Sequence, residues 1–215
     1  MGEPMSLTVT ANEKKGKGVV AVTVTTDGDD DGQTSLMPIE AVILHRLYEG
    51  TELTPTAWEE IRSDGALLLA TRRGLELLAR KPRTERDLRA ALEDDFTPPD
   101  IDRALARLHE LGFLDDRAWS DRYVAGQRAQ SRGRSLLRSE LRARGIADDV
   151  VAEALEDRDE LAAALETAHR RARSLRSVPD EAQRRRKLHD FLRRRGFADD
   201  VARRATESAL ASVEV

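Results

Sequence analysis

Apolar residues alternate with threonine over residues 6–11 (SLTVTA) and 18–26 (GVVAVTVTT), the period of two that a half-buried strand requires. The polar, glycine-bearing segment 12–17 between them predicts a hairpin. Two strands alone are marginal in water, and Ile39, Val42, Ile43 and Leu47 recur at helical spacing to cover them. After a break over Tyr48 to Leu53, Thr54 and Pro55 supply a helix cap and a first helical residue, with Trp58 and Ile61 on one face. Ser63-Asp64-Gly65 is expected to end that helix, so a small N-terminal module is drawn over residues 1–65.

From Ala66 the pattern is helix and turn. Leu67, Leu68, Thr71, Leu75 and Leu78 line a first helix that Lys81-Pro82 stops. Thr84 and Asp87 resemble a capping box opening a second, with Leu88, Ala91 and Leu92; Thr97-Pro98 opens a third, with Ile101, Leu105, Leu108 and Leu111 ahead of Gly112. The unit then returns. Leu141–Val150 (LRARGIADDV) recurs 51 residues later as Leu192–Val201 (LRRRGFADDV), and Leu92–Thr97 is a more divergent first copy. In each copy a bulky residue, Phe96, Ile146 or Phe197, plugs the corner before the third helix.

The first helix of the second unit is read from about Asp115 to Gln130, with Trp119 and Tyr123 one turn apart. That of the third unit carries Leu161, Leu165, Ala168, Ala172 and Leu175, and its second helix Leu188, Phe191 and Leu192. Self-similarity at a fixed period is the mark of a repeat architecture. The expected fold is mainly α: three tandem three-helix repeats over 66–114, 115–157 and 158–215, forming an elongated curved solenoid of about 60 Å, preceded by the β-hairpin and helix module.

Composition sharpens this picture. Charged residues make up 35% of the chain and aromatics 4%, so the core must be aliphatic. The net charge of -4 hides an asymmetry. Residues 1–65 carry 5 Lys/Arg against 12 Asp/Glu, whereas 126–146 holds six Arg and one Glu, and 170–195 eleven Arg/Lys and three acids. Those two blocks suit a polyanion or an acidic protein groove, against the plainer reading of solvated helix arginines. Without cysteine there is no thiolate or disulfide chemistry. No apolar run approaches the ~20 residues that span a bilayer, and the N-terminus lacks a signal-peptide pattern. A soluble, cytoplasmic monomer is expected.

Candidate chemistry is sparse. His45, His109, His169 and His189 have no partner at i+3 or i+4, so no metal site follows. Asp27, Asp29, Asp31 and Gly32 open like a calcium loop, but the twelfth position, where a bidentate Glu belongs, is Pro38. There is no nucleophile elbow and no phosphate loop. The acidic pairs Asp115/Asp116, Asp148/Asp149 and Asp199/Asp200 sit where helix dipoles favour them. Neither an enzyme nor a cofactor is expected. Arg134, Arg138 and Arg142 fall on one helix face beside the apolar Leu137 and Leu141, with Arg128, Arg132 and Gly133 leading in. Gly133 either lets backbone amides approach a partner or merely turns a corner. Trp119 and Tyr123 could stack on bases, though core packing is favoured.

The run Gly112–Asp116, with Trp119, Tyr123, Val124, Ser131–Arg134, Glu140, Leu141, Gly145 and Ile146, resembles the central signature of the RecX family, regulators of the RecA recombinase. Arg80–Leu88 is similar to an earlier element of that family, and Gly50–Thr54 with Trp58 to the leader of its longer members. The resemblance implies repeats lying in the groove of the RecA filament on single-stranded DNA, inhibiting ATP hydrolysis, strand exchange and filament extension without catalysis. It makes Leu114, Asp115, Asp116, Trp119, Tyr123, Gly133, Leu141 and Gly145 the structural signature. The partner surface is then Arg132, Arg134, Arg138 and Arg142, with Arg184, Arg185, Arg186 and Lys187. Two departures stand out: Trp119 replaces a more usual phenylalanine, and the unusually basic Arg184–Lys187 run leaves open a weak direct contact with single- or double-stranded DNA. A nucleic-acid-binding repeat protein acting without RecA, or a plain scaffold, are the alternatives.

Overall fold

The computed structural model describes residues 6–26 and 32–212. The chain forms two compact units: one runs up to Arg83 and resumes over Asp87–Leu114, and the other joins Thr84–Arg86 to the chain from Asp115 onward. The opening of the candidate calcium loop, including Asp27, Asp29 and Asp31, lies outside the described residues.

In the first unit β1 (Leu7–Gly16) and β2 (Val19–Thr26) make the expected hairpin. Gly16 and Gly18, with Lys17 between them, all adopt positive φ at its turn. The sheet is larger than a hairpin. β3 (Gln33–Pro38) and β4 (Glu52–Leu53) complete a four-stranded antiparallel sheet in the order β3-β2-β1-β4. β3 is hard to see in QTSLMP because it is an edge strand that buries only Met37 and Pro38 and turns Leu36 to solvent.

Alternation along β1 and β2 sends Leu7, Val9, Val20, Val22 and Val24 to one face, where Met37, Val42, Leu47, Trp58 and Ile61 close the core. The covering α1 (Ile39–Leu44) buries Ala41 and Val42 but leaves Ile43 exposed, a correction to the expected face. α2 departs further: it runs unbroken from Pro55 to Arg80. Its start is as expected, with Thr54 Oγ1 accepting from the Ala57 amide at 3.2 Å. Ser63-Asp64-Gly65 does not end it. Gly65 is buried against Met37, whose Cβ would stand 2.9 Å from any Cβ at that position. Its value is close approach, which for a glycine inside a helix offsets the cost in backbone entropy. The neighbouring Ser63 carbonyl and Asp64 carboxylate accept from Arg103 at 3.1 and 3.2 Å.

One helix therefore serves both the sheet, through Trp58, Ile61 and Gly65, and the first repeat, through Ala70, Gly74 and Leu77. The repeat-facing stripe is shifted from the expected one, and Leu68 is exposed. Gly74 leaves room for Leu108. α3 (Glu85–Leu92) and α4 (Pro98–Glu110) add Leu88, Leu92, Ile101, Leu105 and Leu108, joined by Leu114. Phe96 is only half-buried, and Leu111 is exposed.

The second unit comprises α5 (Asp116–Ala125), α6 (Gln127–Gln130), α7 (Arg134–Ala143), α8 (Asp148–Glu156), α9 (Glu160–Arg173), α10 (Glu181–Arg194) and α11 (Asp199–Ala211). The helix expected over 115–130 is split at Gly126, whose backbone is extended. Val124, Leu137, Leu141, Ile146, Val151 and Leu155 form one core. Leu188, Leu192 and Phe197 with a ladder of alanines on α9 and α11 form the next. The corner residues Ile146 and Phe197 are both buried. Alanine at Ala164, Ala168, Ala205 and Ala209 lets α9 and α11 approach closely, which is how an aromatic-poor chain fills a core.

Candidate partner interface

The signature residues build the scaffold on which the arginines stand. Leu114 completes the first repeat's core. Asp115 caps α5 by accepting from the Ala118 amide at 2.9 Å, and Asp116 Oδ1 accepts from the Glu85 amide at 2.9 Å. One turn on, Trp119 and Tyr123 stack with centroids 5.1 Å apart. The Arg144 guanidinium lies over both rings, at 5.2 and 5.5 Å. The pair is half-buried against the second repeat's core, in keeping with the favoured packing role.

Tyr123 also carries a polar handle. Its hydroxyl donates to Glu140 at 2.8 Å, and Arg132 reaches both the hydroxyl, at 3.0 Å, and Glu140, at 2.5 Å. Arg132 and Glu140 keep only about a quarter of their side chains in solvent. Arg132 is thus held inward by an ion pair that positions α5 against α7.

Arg134 is tied down as well. Its guanidinium donates to the carbonyls of Glu156 at 3.1 Å and Arg158 at 2.6 Å, and its amide donates to Glu160 Oε1 at 3.0 Å. Arg158 returns the bond, donating to the carbonyls of Ala129 at 2.7 Å and Arg132 at 2.9 Å. Burial holds the Arg158 guanidinium below the ordinary arginine value, Glu160 opposes that shift, and nearby Arg134 adds to it. These contacts join the second repeat to the third.

Gly133 belongs to the same joint. Its amide donates to the Arg195 carbonyl at 2.8 Å and the Ser135 amide to the Gly196 carbonyl at 3.2 Å. A Cβ at Gly133 would overlap the backbone of Gly196 and Phe197, and one at Gly196 would overlap Leu136. The equivalent corner 51 residues earlier holds Thr84–Arg86: Thr84 Oγ1 donates to the Arg144 carbonyl at 3.1 Å, and Gly145, at φ +83°, lies against Arg86. Gly133 and Gly145 are both sites of close backbone approach, used between segments of this chain.

Most of the remaining candidate cations face outward. Arg138 is exposed and, among the described residues, has no ion-pair or hydrogen-bond partner. Arg142, one turn further along α7, is exposed and pairs with Asp148 at 2.6 Å. On α10, Arg184 is half-buried, Arg185 pairs with Glu207 at 2.6 Å, and Arg186 and Lys187 are exposed with no partner among the described residues. Of the eight candidate cations, Arg132 and Arg134 hold the scaffold from within, Arg184 is half-buried and Arg185 is paired, and Arg138, Arg142, Arg186 and Lys187 are displayed on α7 and α10. Glu140, Arg144, Arg158 and Glu160, which complete the scaffold, are not among the residues that sequence reasoning marks as a site. Only Glu140 carries a signal there, as part of the quoted signature; the others matter through partners distant in sequence.

Among the described residues no group of three or more His, Asp or Glu gathers that could hold a metal ion, and no helix is long and apolar enough to cross a membrane. Fold and surface together define a tandem three-helix-repeat protein with basic helix faces. Models of the RecX first, second and third three-helix domains match residues 70–108, 115–155 and 158–206. The chain belongs to the RecX family.

Among curated relatives, a regulatory protein RecX of Thermus thermophilus is 42% identical over 83 residues, covering 39% of this chain and 58% of the relative. That of Lacticaseibacillus paracasei is 27% identical over 151 residues, covering 68% of this chain and 59% of the relative. The matched stretch thus spans less than two thirds of either relative. A crystal structure of regulatory protein RecX superposes with a TM-score of 0.68 at 25% identity, covering 91% of this chain and 96% of that one. RecX from Lactobacillus salivarius, at 19% identity and a TM-score of 0.60 over 67% of this chain and 96% of that one, shares the fold.

Proposed function

We propose that this protein regulates the RecA recombinase by binding its filament on single-stranded DNA, and that it thereby inhibits ATP hydrolysis, strand exchange and filament extension with no catalysis of its own. The observation that carries the reading is the outward set of cations on α7, Arg138 and Arg142, displayed on a joint that Arg132, Arg134 and Gly133 hold rigid. A preorganised basic face meets an acidic or phosphate-bearing surface with little ordering cost. On this reading Arg138, Arg142, Arg186 and Lys187 touch the filament, and Arg132, Arg134, Arg184 and Arg185 support them. The protein acts as a cytoplasmic monomer in recombination, DNA repair and the SOS response.

The test is RecA ATP hydrolysis on single-stranded DNA with the purified protein added at stoichiometric amounts, which should fall sharply. A second reading, nucleic-acid binding without RecA, is favoured by the unpaired Arg186 and Lys187 on α10. It calls for binding to DNA alone with a steep salt dependence.

A further inference from the structure

A cleft of about 330 Å³ lies between α10 and α11 in the third repeat, lined by Ala182, Arg185, Arg186, His189, Arg203 and Thr206. Two of its polar groups are already engaged. Arg185 is neutralised by Glu207 at 2.6 Å, and His189 lies between Asp199, at 3.3 Å, and Asp190, at 3.9 Å. Arg186 and Arg203, one from each helix, are exposed and have no ion-pair or hydrogen-bond partner among the described residues. The Thr206 hydroxyl is buried and likewise unpartnered.

The second repeat shows what this cleft would be if it were only packing. The 51-residue offset that aligns the two corners sets Ser135 opposite Arg186, Ala152 opposite Arg203 and Leu155 opposite Thr206. Leu155 is a buried core residue in its repeat. The third repeat thus gives up a core leucine for a threonine that buries an unmatched hydroxyl, an unfavourable exchange for stability. It also gains an unpaired guanidinium from each of the flanking helices. Thr206 sits on α11 beside Ala202, Ala205 and Ala209, where a small side chain suits the close approach of α9, and its unpartnered hydroxyl and the two unpaired guanidinium groups are available to a ligand.

Two guanidinium forks facing one cleft suit an oxyanion with several equivalent oxygens, which each fork can grip by two parallel N–H bonds. The cationic groups continue past the cleft: Lys187 and Arg194 on α10 and Arg204 on α11 are also exposed and unpaired among the described residues. A small ion would use the cleft alone; a chain of phosphates would use the track. We propose that the α10–α11 cleft of the third repeat is a phosphate site that takes a phosphodiester of a single nucleic-acid strand, flexible enough to lower one phosphate between Arg186 and Arg203. The assignment rests on the second reading above, nucleic-acid binding without RecA, and gives it a site; it does not depend on the recombinase reading.

The test uses the full chain without recombinase and follows the anisotropy of a labelled single-stranded oligothymidine across a salt series. R186E with R203E should weaken binding by on the order of tenfold or more and reduce the salt slope by about 0.7, the value for one phosphate contact on a single strand. T206V, which removes the unpartnered hydroxyl while keeping the side chain's shape, should weaken binding without lowering the melting temperature. R80E with K81E, the same change of charge on exposed residues of the first unit, should stay within about threefold of the parent. Equal losses from the two charge-reversed pairs would show a general field and overturn the site, as would undiminished binding by the R186E/R203E protein. Displacement of the oligonucleotide by millimolar inorganic phosphate at matched ionic strength would assign the cleft to the free ion. Equal affinity for a duplex of the same length would overturn the single-strand assignment.

Discussion

Gly133 and Gly196, 63 residues apart, stack backbone on backbone, so closely that a side chain on either would overlap the other's segment. Two amide-to-carbonyl bonds cross at this point, Gly133 to Arg195 and Ser135 to Gly196. Gly196 has a second constraint, a φ of +84° at the end of α10, the left-handed conformation that glycine adopts without strain. The second and third repeats are therefore joined by main chain, which no other residue type at these two positions permits.

Gly133→Ala should consequently act as an overpacking change at a backbone contact, destabilising the protein by about 3 kcal/mol and lowering its melting temperature by roughly 6–12 °C. Thermal unfolding followed by circular dichroism measures it. A melting temperature within a degree of the parent would mean that the joint opens freely.

Phe197 plugs the corner beside that joint and is 1% exposed. Phe197→Ala removes a ring from a core otherwise built of leucine and alanine and should cost about 3–5 kcal/mol. Urea unfolding should show a lower midpoint with an unchanged slope.

The ion pairs separate by burial. Glu140→Ala leaves Arg132 and the Tyr123 hydroxyl half-buried without their shared acceptor and should cost about 1–2 kcal/mol. Asp148→Asn breaks the exposed pair with Arg142 and should change stability by less than about 0.5 kcal/mol. Equal urea midpoints for the two variants would remove the structural role assigned to Glu140.

How much of this is legible in the sequence depends on the range of the interaction. The repeats are visible because Leu141 and Leu192, Ile146 and Phe197, and the paired aspartates that follow do the same local job in each copy. The packing role of the aromatic pair is legible too, since Trp119 and Tyr123 stand one turn apart on one face. The continuity of α2 is not: Ser63-Asp64-Gly65 has the local chemistry of a helix stop, and only Met37, packed from a strand that itself carries little pattern, explains the glycine. Nor is the division of the arginine stripe. Arg134, Arg138 and Arg142 share a face by spacing, but Arg134 is drawn inward by Glu156, Arg158 and Glu160, more than 20 residues away. Residue spacing alone carries no information about such partners.

That division shapes the interface variants. Arg138→Glu with Arg142→Glu alters exposed groups, so helicity and melting temperature should stay within error while filament inhibition weakens by about tenfold or more. Arg134→Glu places a carboxylate beside Glu160 and two carbonyls and should lower the melting temperature as well. Inhibition and thermal unfolding, measured on the same preparations, separate the contact residues from those that position them.

The proposed role of this RecX-family chain is to restrain a recombinase filament. ATP hydrolysis by RecA on single-stranded DNA, followed while the purified protein is added up to stoichiometric amounts, tests it most directly. Hydrolysis should fall progressively and be largely restored when the Arg138→Glu, Arg142→Glu protein is used instead. Hydrolysis that stays unchanged at stoichiometric protein would contradict it.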